Sequence, residues 1–359
     1  MAAYRQIPIY TPEGWIDIKG IVEYDPEEIC WIYVIDSRGT GKTFSALQYA
    51  VRDRADAGLG QFIYMRRSQE QCDLISRQEL SPVNALNREL DLDLIMDPIT
   101  KKNAGIYHSE QNKDGRIVPK GEFLGITAGL STFRNLRGLS LEGVTLMIYD
   151  EFVPERNERP LRSEGFALQQ AYETVNRNRE LAGKPPLICL CLGNADDLGN
   201  RVFMDLGWTE RAEWMIAHEK EAYYDYGRRT AIYIPQSSPI ARAKAETALY
   251  QMSGKNRFTD MAIRNRFAQQ DLPNIRSRRL EEYRPIVETP GLCIYRHKDR
   301  PEYYCCRHKS GTPDRYTDDP MSKDRFRKKY IYLWDAFVRD VIWFESYMCM
   351  REFEDLFTG

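Results

Sequence analysis

The chain has 359 residues, enough for two domains, with 51 Lys plus Arg against 53 Asp plus Glu and a formal net charge of -2. At 42% hydrophobic and 12% aromatic residues it can bury a substantial core, which excludes a disordered chain. A mean hydropathy of -0.57, with no apolar run near the ~18–20 residues of a membrane span, argues against a membrane protein.

The near-neutral balance also argues against a protein that coats nucleic acid, yet leaves room for local basic loops. The cations are skewed, 36 Arg to 15 Lys, towards the side chain suited to bidentate phosphate and carboxylate contact. The opening stretch MAAYRQIPIYTPEGW lacks the basic start and apolar segment of a secretory signal. Eight cysteines, none in a C-x-x-C pair, read as reduced thiols of a cytosolic or host-cytoplasmic protein. Cys293, His297, Cys305, Cys306 and His308 match no familiar zinc spacing, and alternation along two strands would split them between faces.

In chain order, the first 28 residues read as an extended arm rich in Pro, Tyr and Glu. Cys30–Ile35 is a buried-type strand ending in a Gly-rich turn, Thr43–Ala57 a helix, Gln61–Met65 a second strand and Arg66–Leu80 a helical stretch. Residues 101–128 read as a β-hairpin in which Lys101, Lys102, Lys113, Arg116 and Lys120 surround a Lys-Asp-Gly turn. Val144–Tyr149 is a third core strand, Ser163–Arg177 a helix, Leu187–Leu192 a fourth strand and Thr230–Ile234 a fifth. Residues 237–270 are helical in pattern. A Pro- and Arg-rich join leads to strand-like Leu292–Arg296 and Tyr303–Arg307, and a helix-like stretch over Ile331–Phe357 closes the chain.

The strongest local signal is the run from Asp36 to Thr43, DSRGTGKT, between a buried strand and a helix. Small residues here let backbone N–H groups of Ser37, Arg38, Gly39, Thr40 and Gly41 turn onto phosphates, and the helix adds its positive end. Lys42 would reach the β- and γ-phosphates, and the Thr43 hydroxyl would face Mg²⁺. Asp36 stands where the usual pattern has Gly. The third strand ends in Asp150-Glu151, where the Mg²⁺ partner of such a loop belongs. Glu151, one residue on, is placed to activate a water, which points to an ATP hydrolase. The fourth strand ends in Gly193-Asn194, and Asn194 is a candidate polar sensor. A GTPase is discounted because N-x-x-D lacks its Lys and Asp150 is not followed by the glycine of D-x-x-G.

Arg177 and Arg179 end a predicted helix; either suits an arginine finger reaching a neighbouring subunit, or simply neutralises the helix end. The basic hairpin and Arg134–Arg137 are candidate nucleic-acid loops, or solvated basic surface.

With these residues in order, the chain resembles the DNA-packaging ATPases, or encapsidation proteins, of phi-twenty-nine-like small tailed phages. The resemblance runs over Arg38 before G-x-G-K, the strand QFIYMRR, Leu130-Ser131 ahead of Arg137, Asp150-Glu151-Phe152 ahead of Arg156, Arg177–Glu180, Cys189–Ala195 and Ile234-Pro235. It departs at Asp36 and at Gln69, near a position that is basic in the relative. It implies an α/β P-loop NTPase of the additional-strand catalytic-glutamate class in residues 1–236. A helical linker over 237–275 and a small α+β ribonuclease-H-like domain over 276–359 follow. That domain would be a vestigial nuclease, since Leu292–His297 carries no carboxylate where a catalytic Asp is expected. It further implies ATP and Mg²⁺, a homomeric ring (pentameric in the resemblance), double-stranded DNA, a portal on a procapsid in the host cytoplasm and, in some relatives, a packaging RNA. Arg177 would act in trans, with Arg38, Arg137, Arg156 and Arg179 at subunit boundaries. A helicase-type translocase and a non-catalytic nucleotide-gated scaffold are the alternatives.

Overall fold

The computed structural model describes residues 8–154, 161, 163–254, 259 and 274–358. The chain divides into two compact units, Met1–Leu206 with Ala212–Phe267 and Gly207–Arg211 with Ala268–Gly359. In the first unit the apolar runs become strands β1 Trp31–Ile35, β2 Gln61–Arg66, β3 Leu94–Pro98, β4 Ala104–Gln111, β5 Ile117–Gly129, β6 Val144–Asp150, β7 Ile188–Gly193, β8 Ala222–Asp225 and β9 Thr230–Tyr233. They form one nine-stranded sheet in the order β3-β4-β5-β2-β6-β7-β1-β9-β8.

The centre of this sheet is parallel from β5 to β9, and antiparallel strands flank it at both edges. Strands covered on both faces carry continuous apolar runs rather than alternation, which is why CWIYVI, VTLMIY and LICLCL were legible as strands. β7 lies between β1 and β6, with Ile35 paired to Gly193 and Asp150 to Leu192. That register brings the ends of three strands to one edge, the usual place for a ligand in an open parallel sheet.

Several expectations are corrected. The first residues are not an extended arm: Tyr10 bridges Ile16, Ile18–Val22 is a helix, and Ile9, Ile16, Ile18, Ile21 and Val22 are buried in the main core. The spacing of Ile18, Ile21 and Val22 is one helix face, outweighing the Pro- and Tyr-rich composition around it. The helix after the Gly-rich turn is α-helical over Lys42–Gln48 and π-helical over Tyr49–Ala55. The edge strands β3 and β8 and the helix Val83–Leu90 complete the unit. Residues 241–245 and 248–253 are helical, while the rest of the expected helical linker, 255–258 and 260–273, lies outside the described residues.

The second unit holds β10 Tyr283–Glu288, β11 Cys293–His297, β12 Tyr303–Cys306, β13 Asp314–Arg315 and β14 Ile342–Phe344, ordered β13-β10-β11-β12-β14. The expected closing helix over Ile331–Phe357 is two helices, Pro320–Val338 and Tyr347–Thr358, with β14 between them. Asp340 takes a positive φ of 57°, which ends the first helix, and the apolar run Ile342–Phe344 pairs with β12. Phe337, Phe344, Phe353 and Phe357 pack ring to ring between these elements. All eight cysteines are buried and free. No helix among the described residues is long and apolar enough to cross a membrane.

Candidate nucleotide site

The turn after β1 is shaped by two glycines. Gly39 and Gly41 hold φ of 73° and 85°, a left-handed conformation that other residues resist, and Gly41 caps the helix that begins at Lys42. Asp36 shows no such angle, so glycine is not required there. Its carboxylate does local work instead. Asp36 Oδ1 accepts from the Ser37 N–H at 2.6 Å and from the Tyr10 hydroxyl at 3.0 Å, and the residue is fully buried. Thr40 donates to the Ser37 carbonyl at 3.2 Å and closes the turn.

Lys42 is buried and donates to the Asp36 and Ser37 carbonyls at 2.9 and 2.7 Å. Burial pulls its ammonium below the ordinary lysine value, while the carboxylates of Asp36 and Asp150 oppose that drop. Thr43 Oγ1 donates to Asp150 Oδ2 at 2.9 Å, so the end of the loop and the tip of β6 are in direct contact. Tyr64 donates to the same oxygen at 2.8 Å. Its phenol is pushed well above the usual value by burial and then by the Asp150 charge.

Glu151 follows at φ 58°, half exposed, and pairs with Arg66. Arg66 also reaches Asp150 Oδ2 at 3.3 Å and so compensates both carboxylates. Arg66 is a site residue that the sequence reading missed. The signal was present in the Arg66-Arg67 pair closing a buried strand, where alternation sends one side chain to each face. Arg67 goes the other way: Nε and Nη2 bind Glu164 Oε1 and Oε2 at 2.9 and 3.1 Å, and Tyr149 donates to the same carboxylate. Arg67 and Glu164 are 2% and 0% exposed. This buried pair lies behind the site and couples β2 and β6 to the helix Glu164–Asn176.

Arg38, Gly39, Gly41, Lys42, Thr43, Phe44, Asp150, Glu151, Leu192, Gly193 and Asn194 enclose a cleft of about 420 Å³. The structure therefore unites Arg38, Lys42, Thr43, Asp150, Glu151 and Asn194 at one edge. Arg38 also meets Asp196, beyond β7, at 3.4 Å. The remaining expected residues lie elsewhere. Arg177 donates to the Leu139 and Thr174 carbonyls, and Arg179 to those of Glu142, Val144 and Pro185. Arg179 is thus at the start of β6, about 20 Å from its acidic tip at ~3.3 Å per residue, and Arg177 stands two residues before it in the chain. They cannot serve their own cleft. Arg137 is exposed after a 3₁₀ turn, and Arg156 lies outside the described residues.

The basic hairpin exists, since β4 and β5 pair antiparallel. The expectation that five cations surround one turn is corrected. Lys113 and Arg116 flank the Asn112–Arg116 turn and Lys120 follows on β5, but Lys101 and Lys102 sit in the β3–β4 turn at the other end of β4. Eight strand residues, about 26 Å, separate the two groups. Gln69, just beyond β2, donates to the Lys102 carbonyl at 2.7 Å and ties the β3–β4 turn to the end of β2.

Residues 24–283 match the family described as Podovirus DNA encapsidation protein (Gp16). The DNA packaging protein of Bacillus phage B103 is 25% identical over 236 residues, 66% of this chain and 63% of that relative, so the chain spans less than two thirds of the relative's length. Among solved structures, the bacteriophage Phi-29 viral genome packaging motor assembly shares the fold at a TM-score of 0.62 and 20% identity, over 95% of this chain and 98% of that one. The Phi-28 DNA packaging motor does so at 0.60 and 17%, over 96% of each chain.

Proposed function

The chain belongs to the podovirus DNA encapsidation protein family, and on that premise we propose that it is an ATP-hydrolysing motor subunit that packages double-stranded viral DNA into a procapsid. The observation that carries this reading is the Thr43–Asp150 hydrogen bond of 2.9 Å. It joins a phosphate-cradling loop to an acidic strand tip, with Glu151 one residue further. The position of β7 between β1 and β6 supports the additional-strand catalytic-glutamate class.

In this mechanism the backbone N–H groups from Ser37 to Gly41 and the start of the helix bind the phosphates. Lys42 leaves the Asp36 and Ser37 carbonyls and moves onto the β- and γ-phosphates. The hydroxyl of Thr43 and the carboxylate of Asp150 are hard oxygen donors in mutual contact, which suits Mg²⁺. When bound there, Mg²⁺ neutralises phosphate charge. Glu151 orients and deprotonates the attacking water, and Asn194, on the cleft wall, contacts the γ-phosphate side. Arg177 acts on a neighbouring subunit's cleft, in keeping with its place at the far end of β6; Arg38, Arg137, Arg156 and Arg179 belong to the same inter-subunit network.

The wider reading follows the family. Subunits form a homomeric, pentameric ring on a portal in the host cytoplasm, with a packaging RNA as an optional partner. Residues 1–236 are the motor domain, 237–275 a linker and 276–359 a vestigial nuclease, a role in keeping with a small mixed sheet flanked by two helices. Lys101, Lys102, Lys113, Arg116 and Lys120 contact DNA phosphates rather than bases, as a packager of any sequence requires.

Duplex DNA should stimulate ATP hydrolysis by the full chain more than single strands do, and Glu151→Gln should lower kcat by about 10²–10⁴-fold. Greater stimulation by single strands would favour the helicase reading, and phosphate release unchanged in Glu151→Gln would favour the scaffold. Mixing Arg177→Ala with Glu151→Gln subunits should restore part of the activity; no recovery at any ratio excludes the finger in trans.

A further inference from the structure

Beside the phosphate cleft lies a second and larger groove, of about 670 Å³, that the mechanism above does not use. Trp15, Gly41, Phe44 and Tyr49 are among its walls, with Thr11 and Gln48, and its charged lining is Glu13, Asp17, Glu89 and the Lys19–Asp53 ion pair. Gly41 and Phe44 line both spaces, so the groove continues the cleft past the residues that follow Lys42-Thr43. A nucleotide whose phosphates lie on Lys42 and Thr43 must extend its remaining parts in some direction, and this groove adjoins the exit by way of Phe44.

Its lining suits a base. Trp15 stays 50% exposed although its indole lies against the P-loop, with Cε3 3.2 Å from where a Cβ on Gly41 would stand. The Thr11–Trp15 turn that presents it is closed by Thr11 N–H to the Trp15 carbonyl at 2.7 Å and Gly14 N–H to the Thr11 carbonyl at 2.9 Å. The next residue pins the turn to the phosphate loop, Ile16 N–H donating to the Thr40 carbonyl at 3.0 Å. Thr11 Oγ1 is buried with no hydrogen-bond partner among the described residues, and the Gln48 amide stands on another wall. An aromatic plane, an apolar floor and a few polar groups are the usual make-up of a small-molecule seat.

We propose that this groove seats the base and ribose of the nucleotide, with the Trp15 indole as the stacking plane. The N-terminal segment is then part of the nucleotide site. This rests on the nucleotide reading above, and the test separates the two. The full chain is titrated with Mg-ATP and with Mg-tripolyphosphate, which has the phosphates and no base, in wild type, Trp15→Leu and Trp15→Phe. Trp15→Leu keeps apolar cover over Gly41 but removes the ring. It should weaken ATP about tenfold or more, the scale of one lost base–aromatic stack, raise KM with kcat held, and leave tripolyphosphate binding within about twofold. Trp15→Phe should recover most of the ATP affinity. ATP binding unchanged in Trp15→Leu, or an equal loss for ATP and tripolyphosphate, overturns the base seat while the phosphate site stands. A wild-type chain that binds neither ligand overturns the nucleotide reading and this proposal together.

Discussion

The edge of the parallel sheet and the β4–β5 hairpin both concentrate charge, but they do so in opposite ways. At the sheet edge, Lys42, Asp150 and Arg66 are largely withdrawn from water and each is held at a stated atom by a neighbour. Along the hairpin and in the β3–β4 turn at its far end, Lys113, Arg116, Lys120, Lys101 and Lys102 are exposed, and among the described residues none of them forms an ion pair. A buried charge must find a compensating partner or shift its protonation. An exposed one costs little and stays available to a polyanion. Geometry therefore specifies the first region, whereas charge density and its spacing specify the second.

Removing one buried charge at the sheet edge should have the largest effect. Lys42→Ala should lower hydrolysis by about 10²–10³-fold, the scale of losing one preorganised donor to a charge-developing oxygen, measured as steady-state phosphate release. Behind the site, Arg67→Ala leaves Glu164 buried and uncompensated, and unfolding in urea should show a loss of about 3–5 kcal/mol. A change under ~1 kcal/mol would mean the pair is not sequestered as described.

The hairpin is predicted to respond gradually and through salt. Replacing Lys113, Arg116 and Lys120 by Ala should reduce the slope of log affinity for duplex DNA against log salt by about 3 if all three touch phosphates, near 0.9 for each. Replacing Lys101 and Lys102 should remove about 2. Because the two groups lie at opposite ends of β4, a slope lost in one set alone identifies which end faces DNA.

The smallest effect concerns how the hairpin is fastened. His108 on β4 lies between Asp56 and Asp93, at 2.8 and 3.0 Å. Partial burial lowers its pKa, but the hydrogen bonds and charges of the two aspartates outweigh that and raise it. A raised folded value means the stabilisation is complete below the unfolded value of about 6.5 and fades as pH rises through the folded one. The Tm difference between wild type and His108→Gln should be present at pH 6 and shrink towards pH 9. A constant difference would remove the charge from the explanation.

The same contrast explains what could be read from the chain alone. The phosphate loop, Asp150-Glu151 and Asn194 were legible because each follows an apolar strand within a residue or two, and parallel pairing then aligns the three ends. Arg66 and the Arg67–Glu164 pair were not, since Glu164 is 97 residues from Arg67 and no local pattern links them. The N-terminal segment was misread because its Pro and Tyr content masked the helical spacing of Ile18, Ile21 and Val22. The five cations were found by composition, but their division between two turns depended on β3, a strand that the reading lacked. In the second unit, helical periodicity ran across Arg339–Asp340 and concealed β14.

The most direct test is a density map of the full chain with duplex DNA and a slowly hydrolysed ATP analogue. The expected density is a triphosphate with Lys42 moved from the Asp36 and Ser37 carbonyls onto it, and the Thr43 and Asp150 oxygens facing one cation beside the γ-phosphate. A nucleotide bound elsewhere on the chain, or a Thr43–Asp150 cleft left without ligand at saturation, would contradict it.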